Sequence, residues 1–166
     1  MKKYLSLLTK SIFALVFCAQ LNIAFAAEGA KQSVLDGLKV ISAYAKPSLS
    51  GSNNSAAYIS LKNDNTKDII ILDAMGLSGP SDSASSIANR VEMHIIVTDD
   101  KGVSKMVPVD RLVIPAGEEL IMKPGGIHVM LLDLKQRLNF GDKIYVNFVL
   151  QDLGLYQVEV PVGKIN

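Results

Sequence analysis

The chain has 166 residues, 17 Lys or Arg against 16 Asp or Glu, 49% apolar side chains and a single cysteine. So even a charge balance argues against nucleic acid or an anionic membrane surface as the partner. One cysteine also excludes a disulfide framework within the chain.

The first segment reads as an export signal rather than as part of a fold. Lys2, Lys3 and Lys10 make a basic start, Ile12 to Ala19 is apolar, and Ala24-Phe25-Ala26 supplies small residues for cleavage after Ala26. Gln20 and Asn22 keep the apolar run well short of the roughly 20 residues that a membrane span needs. A lipid-anchored cysteine fits less well, because bulky Phe17 precedes Cys18 where a small residue is expected. Removing residues 1–26 leaves 140, the size of one domain. The three lysines leave with the signal, so 14 basic residues face 16 acidic ones, a net charge of −2. Cys18 leaves too, and the mature chain then holds no thiolate. The expected product is a periplasmic monomer that does not insert into the membrane.

Residues 27–38 read as a flexible lead-in, and residues 39–163 as one domain. Lys39–Ala45 is a strand, followed by the Pro, Ser, Gly and Asn loop of residues 47–54. Ala57, Ile59 and Leu61 alternate with Tyr58, Ser60 and Lys62, as a half-buried strand should. Ile69, Ile70, Ile71 and Leu72 predict a strand buried on both sides, and residues 77–89 a long polar loop. Val91–Thr98 and Val103–Val109 flank Asp99-Asp100-Lys101-Gly102, a hairpin signal. Ile114-Pro115-Ala116-Gly117 is a turn, and Leu120–Lys123 and Ile127–Leu132 are strands around Pro124-Gly125-Gly126. Lys143–Leu150 and Leu155–Val162 complete about eight or nine short strands, with no amphipathic helix. Turn signals at such regular spacing predict an all-β antiparallel sandwich or barrel.

The sequence holds two histidines, His94 and His128, both in predicted strands. His128 and Met130 are spaced i, i+2 and leave the same strand face, opposite the core set Ile127, Val129 and Leu131. Met106 joins them if the hairpin closes through a three-residue loop, Asp100-Lys101-Gly102, with Gly102 left-handed. That loop pairs Ile96 with Met106 and His94 with Pro108, so Met106 shares the His94 face. A two- or four-residue loop would separate them. Uncharged thioether sulfur suits Cu(I) and suits zinc, magnesium or calcium poorly. A blue-copper centre would need a cysteine. Against a metal stands ordinary packing: methionine fills irregular core gaps, and a strand histidine is often only hydrogen-bonded. Met93 should face away from His94 into the core, and Met75 and Met122 have no geometric case as ligands. Composition and periodicity leave both readings open.

At these residues the sequence resembles the periplasmic copper chaperones of the PCu(A)C type. That family carries a His, about ten residues, a Met, twenty-one residues and then His-x-Met. Here eleven residues separate His94 from Met106, and twenty-one separate Met106 from His128-Val129-Met130. Residues 90–94 (RVEMH), 105–109 (KMVPV), 123–131 (KPGGIHVML) and 140–142 (FGD) extend the resemblance over roughly Val40 to Val162. The resemblance implies a cupredoxin-like β-sandwich holding one Cu(I) at an exposed site of His94, Met106, His128 and Met130. It also implies delivery to a copper-accepting protein of haem–copper oxidase assembly, either an oxidase subunit or another copper chaperone. The additional residue between His94 and Met106 reverses the loop-length parity, so a bulge or a different turn has to restore the common face. Some relatives carry a His- and Met-rich tail that holds Cu(II). Residues 162–166 contain neither residue, so only the Cu(I) site is expected.

Two rival readings stand beside this one. An enzyme is disfavoured, because neither histidine lies in a nucleophile-elbow motif and paired thioethers disfavour Cu(II). The other rival is a non-metal β-sandwich of the cell envelope, a ligand-binding or adhesion module. The absence of tryptophan argues against a sugar-stacking platform.

Overall fold

The computed structural model describes residues 35–80 and 84–163. The signal segment 1–26 and most of the expected lead-in lie outside the described residues. Among the described residues, ten strands run in chain order: β1 Leu38–Ala45, β2 Ser55–Asn63, β3 Ile69–Leu77, β4 Ala88–Thr98, β5 Ser104–Pro108, β6 Leu112–Ile114, β7 Glu119–Leu120, β8 His128–Leu134, β9 Lys143–Leu150 and β10 Gly154–Pro161. There is no helix among the described residues. One sheet is ordered β1-β2-β8-β4-β5, with β7 on β2, and the other is β10-β9-β3-β6. Every strand pairing is antiparallel. The all-β antiparallel sandwich expected from the turn spacing, cupredoxin-like as the resemblance implies, is the observed fold.

Alternation of side chains builds the core between the sheets. Ile59, Leu61, Val129 and Leu131 come from the first sheet, and Ile71, Val146, Phe148 and Val158 from the second, each at most 1% exposed. Successive strand residues point to opposite faces, so burying Val129 and Leu131 sends His128 and Met130 to the other face of the first sheet. Met93 (4% exposed) is a core residue for the same reason, and so is Met122, whereas Met75 is exposed.

Three local expectations fail. The isoleucine run of β3 is not buried on both sides: Ile69 and Ile71 are in the core, Ile70 is half-buried and Leu72 is exposed. The β3–β9 register also shifts between Ile71 and Asp73, the mark of a bulge. Residues 112–114 form an additional strand, too short to show a period, which pairs with Ile69–Ile71. The polar loop is shorter than read. Its C-terminal end is anchored by Ile87, which is 1% exposed and whose amide donates to the Gly76 carbonyl at 3.1 Å. Gly76 makes room for it, since a Cβ there would lie 3.0 Å from Ile87 Cγ1.

Ile87 therefore fixes the start of β4, the strand that carries His94. Ile87→Ala should destabilise the domain by about 2–5 kcal/mol, the usual range for emptying a buried aliphatic site. Urea unfolding measures it, and a loss under about 1 kcal/mol would mean that the anchor is slack.

Candidate metal centre

The site lies on the outer face of the first sheet, where β4 runs between β8 and β5. His94 pairs directly with His128 across β4 and β8, and Glu92 pairs with Met130. Across β4 and β5, His94 pairs with Pro108 and Ile96 with Met106. Directly opposed residues share a face, so His94, Met106, His128 and Met130 all belong to one side of the sheet.

The hairpin accommodates its additional residue in the way the three-residue loop requires. Asp99 N donates to Val103 O at 3.0 Å, and Gly102 N to Asp99 O at 2.9 Å. Gly102 adopts φ +77°. The Asp99 carboxylate accepts the amides of Lys101 and Val103, each at 2.9 Å. A left-handed glycine closing a three-residue hairpin loop thus keeps Met106 on the His94 face despite the longer spacing.

The four residues differ sharply in access. His94 and His128 are buried, at 9% and 4% exposure, Met130 is half-buried and Met106 is 56% exposed. The two-His, two-Met set that the resemblance implies is thus exposed through its methionines far more than through its imidazoles. Met106, His128, Met130, Tyr58 and Ile96 line a surface depression of about 300 Å³. His94 does not line it. Its ring sits 5.7 Å from that of His128, centroid to centroid.

Hydrogen bonds hold both imidazoles in place. His128 Nδ1 lies 2.9 Å from the Gly126 carbonyl. A carbonyl only accepts, so Nδ1 carries the proton, and in the neutral ring Nε2 then holds the lone pair. Gly126 comes from the Pro-Gly-Gly turn before β8, closed by its amide donating to Lys123 O at 3.0 Å. His94 Nε2 lies 2.8 Å from Glu92 Oε2. His94 Nδ1 is buried and has no hydrogen-bond partner among the described residues. The hydrogen bond with His94 holds the Glu92 carboxyl below the usual carboxylate range, against a desolvation effect in the other direction, and the Arg90 charge adds to it. Glu92 therefore stays anionic at neutral pH.

Two neighbours went unassigned in the sequence reading. Tyr58, 4% exposed, stands 6.1 Å from the His128 ring and 4.9 Å from Tyr44, and the Lys46 ammonium lies 5.7 Å from its centroid. Glu92 was legible in principle, two residues before His94 and so on the same strand face. Among the described residues, no three His, Cys, Asp or Glu side chains gather into a set that could hold a metal ion. A metal on this face would need the thioethers, which restricts it to soft ions.

Solved structures share this architecture. A copper-bound PCuAC domain from PmoF2 superposes with a TM-score of 0.59 at 18% identity, covering 78% of this chain and 94% of that one. Identity that low speaks for the fold alone. The solution structure of the Cu(I) form of DR1885 from Deinococcus radiodurans matches with a TM-score of 0.56 at 25% identity, over 81% of this chain and 85% of that one. The fold is that of the PCuAC domains. The chain belongs to the family described as "Putative lipoprotein LpqE-like", which matches residues 38–162. A protein of Leifsonia xyli subsp. xyli, also described as a lipoprotein, is 32% identical over 151 residues, covering 91% of this chain and 83% of that protein. A Rickettsia prowazekii protein without an assigned role is 32% identical over 115 residues, 69% of this chain and 58% of its own length.

The left-handed Gly102 carries the register of the whole hairpin, and no atom lies within 4 Å of the position a Cβ would take. Replacing it therefore costs backbone strain and little else. Gly102→Val should lower stability by about 1–2 kcal/mol, and Gly102→Asn by less, because asparagine tolerates this conformation. Equal urea midpoints for both variants and the wild type would mean that the loop does not depend on its glycine.

Proposed function

We propose that the protein is a copper carrier of the cell envelope. It takes up one Cu(I) ion through His94, Met106, His128 and Met130 and gives it to another protein by ligand exchange. The observation that carries this reading is the shared sheet face. Two strand pairings bring two histidines and two methionines to one side of three adjacent strands, with Met106, His128 and Met130 around a common depression.

Chemistry favours Cu(I) as the cargo. All four donors are uncharged when the imidazoles are neutral, which suits a monovalent soft ion. Their unequal exposure supports transfer rather than storage. Met106 stands at the surface on the edge strand β5, where an incoming ligand can replace its sulfur first, while the buried imidazoles release the ion last. Related structures support the same cargo, since a PCuAC domain is known with copper bound and DR1885 with Cu(I).

Residues 1–26 read as a cleavable export signal, and the lipoprotein descriptions of the family and of the Leifsonia relative agree with export. Outside the cytoplasm, a Cu(I) carrier fits delivery towards assembly of a haem–copper oxidase, with an oxidase subunit or a second copper chaperone as the acceptor. No helix among the described residues is long and apolar enough to cross a membrane.

Titration with Cu(I) against a chromophoric chelator tests the assignment. The wild type should take up one equivalent to give a colourless complex. Met106→Ala and Met130→Ala should each lower the affinity at least tenfold, since even residues behind the ligands typically contribute 10–100-fold. Met106→Ala should keep the wild-type stability, read by urea unfolding, to within about 0.5 kcal/mol, because Met106 is exposed. Uptake by Met106→Ala as tight as that of the wild type would remove Met106 from the ligand set.

A further inference from the structure

Two imidazoles on neighbouring strands would ordinarily be free to offer either nitrogen to a ligand. Here each has one nitrogen already engaged, and the two are engaged at opposite ends. His128 uses Nδ1 on the Gly126 carbonyl, whereas His94 uses Nε2 on the Glu92 carboxylate. An ionised carboxylate has no proton to donate, so the proton of this contact belongs to His94 Nε2. In the neutral ring, Nδ1 then holds the lone pair. That is the buried atom with no partner among the described residues. Leaving such an acceptor unpaired costs free energy, which makes sense if the atom is kept for a ligand.

Glu92 is itself held on both oxygens. Oε1 accepts from Arg90 Nη1 at 2.9 Å while Oε2 meets His94 at 2.8 Å. Arg90 Nε in turn lies 3.9 Å from Asp133 Oδ2. The carboxylate is thus braced from the solvent side and aimed at the imidazole. With both oxygens occupied, it is poorly placed to become a ligand itself.

We propose that Glu92 is a positioning residue that locks His94 in the tautomer presenting Nδ1 to the cargo ion, so that the two histidines bind through different nitrogens, Nδ1 of His94 and Nε2 of His128. The proposal rests on the copper reading above and adds the atom each ring uses. A carboxylate behind a metal-binding histidine fixes ring orientation and raises basicity, and removing such a partner commonly costs 10–100-fold in metal affinity.

The test combines a metal-free readout with a metal-bound one. In the 15N-labelled apoprotein, long-range proton–nitrogen correlation spectra should report the Nε2–H tautomer for His94 and the Nδ1–H tautomer for His128. Glu92→Leu should let His94 populate both tautomers and weaken Cu(I) binding 10–100-fold. Glu92→Gln, whose side-chain oxygen still accepts a hydrogen bond, should keep the tautomer and most of the affinity. With Ag(I), whose nuclei have spin one-half, as a substitute for Cu(I), silver–nitrogen coupling should appear at Nδ1 of His94 and Nε2 of His128. A Nδ1–H tautomer for His94 in the wild type, or coupling at its Nε2, would overturn the proposal even if Glu92→Leu failed to fold. Unchanged tautomer and affinity in folded Glu92→Leu would overturn it as well. A wild type that takes up neither Cu(I) nor Ag(I) would instead sink the copper reading, and the proposal with it.

Discussion

The direct pairing of His94 with His128 across β4 and β8 is the constraint on which the rest of the site depends. A strand shifted by one residue sends every side chain to the opposite face, and here such a shift would bury one imidazole in the core and lift Met93 or Val129 out of it. The register is held by apolar burial rather than by anything at the site. Met93, Val129 and Leu131 are locked between the sheets, and Ile87 pins the entry to β4. The polar face is the remainder left once the core has taken its share.

The proposed donor set combines deep and shallow groups. His94 and His128 lie beneath the surface with their hydrogen bonds already made, while Met106 stands on an edge strand whose residues are all exposed. Thioethers need no counter-charge and no proton loss to bind a soft ion, so they can join and leave without disturbing the fold. The charged groups nearby are set back by one step. Glu92 bonds to His94, Arg90 bonds to Glu92, and Lys46 lies over Tyr58. For the proposed carrier, such a neutral front with charge behind it would let the ion be held without being trapped.

Much of this was legible in the residues. The i, i+2 spacing of His128 and Met130 and the turn chemistry of residues 99–102 gave the common face, because strand alternation and loop parity are local rules. Long-range packing was not legible. Leu72 looks like part of a buried apolar run, yet a bulge on β3 turns it to solvent. Ile87 sits inside a polar stretch, and only the gap over Gly76 makes it a core residue. His128 packs against Tyr58 of β2 and bonds to the Pro-Gly-Gly turn, neighbours that no window of sequence brings together. The role of Glu92 lay one step further off, since it is a matter of which ring nitrogen is occupied.

X-ray absorption at the copper edge of the Cu(I)-loaded protein tests the central claim most directly, because it counts the neighbours of the ion without assuming which residues supply them. Two sulfur and two nitrogen neighbours are the result expected for His94, Met106, His128 and Met130. A shell of nitrogen and oxygen alone, with no sulfur, would contradict the account, since the thioethers are what single out this face as a site for a soft ion.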